Sequence, residues 1–350
     1  MVLFQHLEEK LACGCAPRKA GGSYQRKRRN EPGNDKTASL NFEYLFTVIL
    51  CCTNHTILWL MKRGLLACAR RCPVCNASMR LKNESRRSDG WIWHCKKGKP
   101  ITHSKTTSLR HGSWFERANL QLEELVKHLY YWTHAFRNQQ IEHELNLSPT
   151  TVVDWNNFCR EVCVLALSNS EQIGGPGKIV EIDESKFAKR KYNKGHKVFT
   201  DWVFGGVERG EGDARWSKCF MVPVEDRTAK TLVDLITHHI APGTTIYSDC
   251  WKAYDQLKDC DFTHMKVNHS LHFIDPDTGV HTNTIEGAWQ KAKHGVHMPN
   301  FGVKNSHLAG YLAVYIWHKN HQNSGYFFAF LDEVKKVYNG RCPDGCEQCT

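Results

Sequence analysis

No stretch of the sequence is apolar for long enough to cross a bilayer as a helix. The longest such run, Leu45 to Cys52, gives way to polar Thr53, Asn54, His55 and Thr56, whereas a spanning helix needs roughly 18–20 residues. A helical membrane span is excluded, and no membrane partner is expected. The N-terminal stretch lacks the apolar core of a secretion signal, because Glu8, Glu9 and Lys10 stand in its place, so a reducing compartment is expected. The 16 cysteines are therefore read as metal ligands, nucleophiles or small buried apolar residues, and their spacing decides which. Nor is the composition that of a disordered chain. With 41% of residues hydrophobic and 24% charged, there is apolar material for two or three folded domains.

What is present in excess is positive charge, and it is concentrated. Between Lys62 and Arg110 thirteen Lys and Arg stand against Glu84 and Asp89, an excess of eleven that equals the net charge of the whole chain. A field of that strength suits a polyanion, nucleic acid being the commonest, although a solvated basic linker has the same composition.

Residues 1–40, with Gly21, Gly22, a basic cluster from Gln25 to Arg29 and Pro32-Gly33, show no apolar period and read as a disordered basic arm. A short helix around Leu58 and Leu60 leads into a basic module over 54–112. Helical spacing returns over 113–170. Leu120, Leu122, Leu125 and Leu129 mark one helix and Gln139 to Leu145 a second, and Ser148-Pro149 opens a third that carries Val152, Trp155 and Phe158. Helix, short turn, helix fits either a helix-turn-helix, with Ile141, Leu145, Val152, Trp155 and Phe158 as its apolar wedge, or a plain helical hairpin. Following a basic module, the first reading is preferred, with the helix from Pro149 facing the DNA groove. Gly174-Gly175-Pro176-Gly177 reads as a linker. Beyond it, over 178–340, come strand-like runs at Lys178 to Phe187, Trp202 to Val207 and Cys219 to Val224. A helix over Thr228 to Ile240 and a fourth strand at Thr244 to Tyr247 follow. A three-strand meander, a helix and another strand is the order of a ribonuclease-H-like α/β core. Three more helices, Thr284 to Val296, Leu308 to His318 and Phe327 to Val337, complete it, and 341–350 forms a Cys-rich tail.

Two constellations carry chemistry. Cys72-Pro73-Val74-Cys75 places two thiolates on one side of a turn, and Cys95 supplies a third. Position 98, where a fourth cysteine would close the set, is Gly98, so His103 is the preferred fourth zinc ligand and His94 the second choice. Three buried cysteines without a metal remain the plain alternative. Cys342, Cys346 and Cys349 form a weaker second cluster.

The second constellation is acidic. In Val180-Glu181-Ile182-Asp183-Glu184-Ser185, alternation points Glu181 and Asp183 to one face of the first strand, where a buried carboxylate is costly without a partner. Asp249 ends the strand beginning at Thr244, at the edge where open α/β sheets bind ligands. Glu286 lies near the start of a helix. Three acids on two strands and a helix can converge, and oxygen ligands of this kind suit a pair of divalent ions in phosphodiester cleavage. Taken singly, each acid is an ordinary surface residue.

The ordered set Cys72-Pro73-Val74-Cys75, Trp93-His94-Cys95, Leu109 to Phe115, Glu181 to Ser185, Tyr247-Ser248-Asp249, His281 to Trp289 and Lys293 resembles the Merlin-type DDE transposases of animals and their bacterial insertion-sequence relatives, over about Asn54 to Asn339. The resemblance implies a ribonuclease-H-like, retroviral-integrase-type catalytic core preceded by a zinc-ribbon-like module and a helix-turn-helix region. It also implies Asp183, Asp249 and Glu286 as a catalytic triad using two Mg2+ or Mn2+ ions. Asn283 and Lys293 match polar positions that the bacterial relatives keep near the site. On a helix Glu286, Gln290 and Lys293 fall at i, i+4 and i+7, so Lys293 shares a face with Glu286.

The expectation is thus a transposase that cuts at transposon ends and joins them to target DNA, acting in the nucleus on double-stranded DNA as a homo-oligomer. The rival is a domesticated DNA-binding relative that no longer cuts, and a non-specific nuclease is a third option.

Overall fold

The computed structural model describes residues 2–12, 41–99, 102–168, 170–187, 201–210, 216–268, 271, 274–295, 305–322 and 325–338. The basic cluster at 25–29 and the tail cysteines Cys342, Cys346 and Cys349 lie outside these residues. The chain divides into two compact units, Met1–Cys159 with Asn323–Thr350, and Arg160–Gln322.

In the first unit α1 (Val2–Leu11) replaces part of the arm expected to be disordered, because Leu7 and Leu11, one helical turn apart, are buried against the fold. Lys10 anchors it by donating to Leu81 O at 3.0 Å. A short α2 (Phe42–Tyr44) runs into a π-helical turn, Leu45–Ile49, and then α3 (Thr53–Lys62). No single helix among the described residues is long and apolar enough to cross a membrane. The basic module forms an antiparallel sheet, β1 (Arg80–Asn83), β2 (Trp91–Lys97) and β3 (His103–Ser108), in the order β1-β2-β3. Apolar Leu81, Trp91 and Trp93 turn inward while Arg80, Lys82, Lys96, Lys97 and Lys105 remain exposed. Arg110 is instead buried, paired with Asp89 and donating to Ala118 O and Leu120 O at 3.0 and 2.8 Å.

The helices α4 (Leu122–Thr133), α5 (Asn138–Leu145) and α6 (Pro149–Ser168) follow, and the unit boundary falls inside α6. Asn146 adopts φ 50° to end α5, and Ser148 Oγ accepts the Thr151 N–H at 3.2 Å to open α6. Ile141, Val152 and Trp155 are buried in the resulting wedge, whereas Phe158, expected to join them, is 45% exposed. Helical phase explains the difference: Val152, Trp155 and Cys159 share the inner stripe at i, i+3 and i+7, and Phe158 falls beside it.

The second unit is a mixed α/β layer structure. Its five strands are β5 (Ile179–Phe187), β6 (Asp201–Arg209), β7 (Trp216–Val224), β9 (Thr245–Asp249) and β10 (Thr263–Val267). They lie in the order β10-β9-β5-β6-β7, with β5 to β7 an antiparallel meander and β9 and β10 added in parallel. A small pair, β4 (Ile173–Gly174) with β8 (Ile240–Ala241), flanks them. One face packs Val180, Ile182 and Phe204 against α7 (Ala229–His239) and a 3₁₀ segment, Lys252–Asp259. The other packs Phe187, Val203 and Val207 against α8 (Asn283–Gly295) and α9 (Asn305–Asn320).

Two expectations need correction. The Gly174 to Gly177 segment is no loose linker. Gly174 has φ +85° and its Cα abuts the Thr244 side chain, so a Cβ there would collide with Thr244 Oγ1, and Gly175 N–H donates to the same hydroxyl at 2.7 Å. The second unit also ends at Gln322 rather than 340. The reason is that α10 (Tyr326–Val337) puts Phe330 against Trp114 and Trp132 of the first unit, ring centroids 6.3 and 5.0 Å apart.

Candidate functional site

Strand β5 is the spine of the acidic corner. Its odd residues face α8 and its even residues face the opposite layer, as a period of two requires. Parallel pairing with β9 matches Ile179 to Thr245 and Glu181 to Tyr247. Two residues beyond the last pair on each strand come Asp183 and Asp249, close enough that the Asp249 charge acts on the Asp183 carboxyl.

Helix α8 is bolted to the odd face of β5 by three polar contacts in series. Fully buried Glu181 accepts the N–H groups of Thr284 and Ile285 through Oε2 at 2.9 and 3.0 Å. Trp289 Nε1 donates to Asp183 Oδ2 at 3.1 Å, and Lys293 Nζ donates to Ser185 Oγ at 2.7 Å. Four helical residues rise about 6 Å and two strand residues about 6.6 Å, so the contacts keep step along both elements. Glu181 satisfies free N–H groups of the first helical turn and sits at its positive end. Its other oxygen accepts from Arg209 Nε at 2.7 Å, and Arg209 Nη2 donates to His281 O at 3.1 Å. Burial, and then the Arg209 charge, push the His281 imidazole below its ordinary pKa. Trp289 reaches Asp183 because Gly205, opposite Asp183 on β6, has no side chain, and a Cβ there would lie 2.7 Å from the indole.

Burial pushes the Asp183 carboxyl up to about 7, and the neighbouring Glu184 and Asp249 charges add to the rise. Asp249 Oδ1 accepts the Trp251 N–H at 3.0 Å. Glu286 is exposed on α8, one turn before Trp289 on the flank that also carries Lys293, and Asn283 opens the helix. The ligand oxygens of Asp183, Asp249 and Glu286 do not all come within 4.8 Å of one another, so the corner is open rather than closed.

Glu184 is a fourth acid that the sequence reading passed over. It points to the opposite face of β5, accepts the Tyr254 hydroxyl, and is raised in pKa by burial and then by the Asp249 charge. Its adjacency to Asp183 was the available signal. Alternation assigns it, correctly, to the face away from Asp183 and so gives no sign that the two carboxyls influence each other.

The cysteine site is closed. Cys72, Cys75, Cys95 and His103 bring one ligand atom each within 4.8 Å of one another, the only such group among the described residues. Cys75 Sγ lies 3.7 Å from Cys95 Sγ, and His103 Nε2 lies 3.4 and 3.5 Å from the sulfurs of Cys72 and Cys95. A tetrahedron built on zinc–sulfur and zinc–nitrogen bonds of about 2.3 and 2.0–2.1 Å has edges of about 3.8 and 3.6 Å. The set therefore can hold zinc. His94 is elsewhere, its Nε2 3.1 Å from Ser104 Oγ. Against the upward effect of burial, the N–H groups of Val74 and Cys75 and the His103 ring draw the Cys72 thiol down to about 6, toward the thiolate a metal needs.

Residues 172–320 match the family described as the ISXO2-like transposase domain. Over 120 residues, the chain is 28% identical to an uncharacterised transposase-like protein of Haemophilus influenzae, covering 34% of this chain and 94% of that protein. The chain is thereby related to the DDE-type transposases. Among solved structures, similarity extends to a simian T-cell lymphotropic virus intasome complexed with the PP2A regulatory subunit B56 gamma (15% identity, 56% of this chain and 68% of that one, TM-score 0.27). It extends likewise to a pre-cleavage Mos1 transpososome (12% identity, 63% and 79%, TM-score 0.23). At these TM-scores the likeness establishes no common fold.

Proposed function

We propose that the chain is a DNA transposase that cuts at transposon ends and transfers the freed strand into target DNA. In this reading Asp183, Asp249 and Glu286 hold two divalent ions, Mg2+ or Mn2+, on a ribonuclease-H-like core. The observation that carries it is the placement of Asp183, mid-way along β5, and Asp249, at the end of β9, each two residues beyond the last pair of these parallel strands, with the Glu286 helix anchored on β5. The meander, the crossover through α7 and parallel β9 follow the strand order of that core class.

The donor set fits the ions. Carboxylate oxygens suit hard divalent cations, and the Asp183 carboxyl, raised by burial first and then by the Glu184 and Asp249 charges, is one whose charged form a bound cation would favour. When bound, such ions activate the attacking oxygen and stabilise the leaving one. The protein's part is orientation. Trp289 and Trp251 fix the carboxylates of Asp183 and Asp249 by hydrogen bonds, Glu181 fixes the start of α8, and Asn283 and Lys293 are assigned to substrate contacts from that helix. Cys72, Cys75, Cys95 and His103 would hold a zinc ion that ties β2 and β3 to the turn before β1, and the exposed basic residues of that sheet with the α5–α6 pair are assigned the DNA-binding surface. Joining two ends calls for a homo-oligomer on double-stranded DNA, and that substrate argues for action in the nucleus.

The test is cleavage of a labelled duplex carrying element ends, with Mg2+ or Mn2+ present, by this chain and by Asp249→Ala. Metal-dependent nicking that falls by at least about 10³-fold in the variant supports the proposal. Duplex binding without nicking in both proteins contradicts it and leaves a DNA-binding protein.

A further inference from the structure

At the strand ends next to the acidic corner, on the face of the sheet that Glu184 rather than Asp183 shares, lies a column of cations and indoles that the triad does not use. The Arg227 guanidinium sits 3.6 Å from the ring centroid of Trp202 and 4.1 Å from that of Trp251. Lys186 Nζ lies 5.5 Å from the Trp202 ring. These residues come from four chain segments that meet at one edge of the sheet. Lys186 is near the end of β5 and pairs with Trp202 on β6. Trp202 pairs with Val224 at the end of β7, three residues before Arg227. Trp251 follows Asp249 and donates its N–H to that carboxylate. The charge of Arg227 reaches Glu184, whose carboxyl is raised by burial and drawn back down by the Tyr254 hydroxyl and by Arg227.

Arg227 is half-buried, yet its guanidinium donates no hydrogen bond and forms no ion pair among the described residues. A guanidinium stacked on aromatic rings loses the freedom of its long side chain while its edge donors stay available. Such a planar fork, pre-set beside carboxylates that attract metal ions, matches the two oxygens of a phosphodiester. The neighbouring carboxylates are not within ion-pair distance of it, so its donors are unspent.

We propose that Arg227, presented by Trp202 and Trp251, is a binding site for a backbone phosphate of the DNA strand that enters the Asp183–Asp249 corner. The site rests on the transposase reading and extends it to a residue of the strand-binding track. Arg227 holds the strand against the corner, and Lys186 continues the positive track on the exposed side of Trp202. The alternative role is a staple that ties the loop after β7 to the loop after β9.

The test uses the full chain with Ca2+ and a labelled duplex, with affinity measured across a salt series. Arg227→Gln is expected to weaken binding by about tenfold and to reduce the slope of log K against log salt by about 0.9, the value for a single neutralised phosphate. Arg227→Lys keeps most of the slope. Unchanged affinity and slope in a folded Arg227→Gln protein overturn the site in favour of the staple. Should that variant not fold, phenylglyoxal modification of the unaltered chain decides. Arg227 protected by duplex supports the site, and Arg227 modified equally with and without duplex overturns it. Arg227-dependent binding in a chain that never nicks leaves the site standing and removes the transposase chemistry. Asp249-dependent nicking with Arg227-independent binding does the reverse.

Discussion

The Cys72, Cys75, Cys95 and His103 cluster is closed and soft, whereas the Asp183, Asp249 and Glu286 corner is open and built of hard oxygen donors. In the first, the sulfur and nitrogen atoms are already separated by about the edge lengths of a zinc tetrahedron. In the second, the three carboxylates do not close into one such group, and burial pushes the Asp183 carboxyl to about 7. A closed set leaves no position for substrate and serves folding, while an open one keeps coordination positions for a reacting group. On the proposed reading, the difference in ligand softness and spacing is what would separate a structural site from a reactive one within a single chain.

The largest effect should come from breaking the closed site. Stripping zinc with a high-affinity chelator, or Cys95→Ser, removes a binding energy on the order of 10 kcal/mol in structural zinc sites. The β1–β3 sheet should lose its protection from amide hydrogen exchange while the β5–β10 sheet keeps its own. Equal protection with and without metal would count against a structural zinc.

Next is the anchor beneath the open site. Glu181→Gln removes the charge from a buried pair with Arg209 and from the first turn of α8, a loss of about 3 kcal/mol. Urea unfolding of the second unit should register it, and Glu286 should lose its place, so that the divalent-ion requirement for nicking rises along with the instability. A variant with wild-type stability and metal requirement would show that α8 needs no anchor.

Smaller and opposite in sign is Asp183→Asn. The folded carboxyl is raised above its unfolded value, so metal-free wild-type protein keeps this stability at pH 4 and loses it as pH rises toward 7. Asp183→Asn removes that dependence and should stabilise the metal-free protein at pH 8 by at least about 1 kcal/mol, while abolishing nicking. Thermal unfolding at pH 5 and pH 8 checks it, and a variant less stable than wild type at pH 8 contradicts it. Last is Trp289→Phe, which removes one hydrogen bond, about 1 kcal/mol, together with the indole atoms that pack over Gly205. Its mark is a nicking profile shifted to higher pH, because Asp183 loses the donor that favours its charged form.

How legible these features were follows from the kind of signal each gives. Strands β5, β6, β7 and β9 announce themselves through their apolar runs, Asp183 as a carboxylate in mid-strand and Asp249 through its place at a strand end. Edge strand β10 was missed because His264 and Lys266 break the apolar pattern of a strand with one face covered. The β1–β3 sheet was hidden by its charge, since Arg80, Lys82, Lys96 and Lys97 carry the nucleic-acid signal and obscure the strand period. His103 could be named because it follows Cys95 closely enough to share its hairpin, although only the pairing of β2 with β3 separates it from His94. Glu181, Gly205 and Arg227 act through partners 103, 84 and 24 to 25 residues away in sequence. No periodicity or local motif encodes contacts of that range.

The most direct measurement is Mn2+ titration of the full chain, followed by electron paramagnetic resonance with zinc content recorded in parallel, for wild type and Asp249→Asn. The account predicts two Mn2+ bound at the acidic corner of the wild type, their loss in the variant, and one zinc per chain retained in both. Mn2+ binding unaffected by Asp249→Asn, or Mn2+ taken up only as zinc is lost, would contradict it.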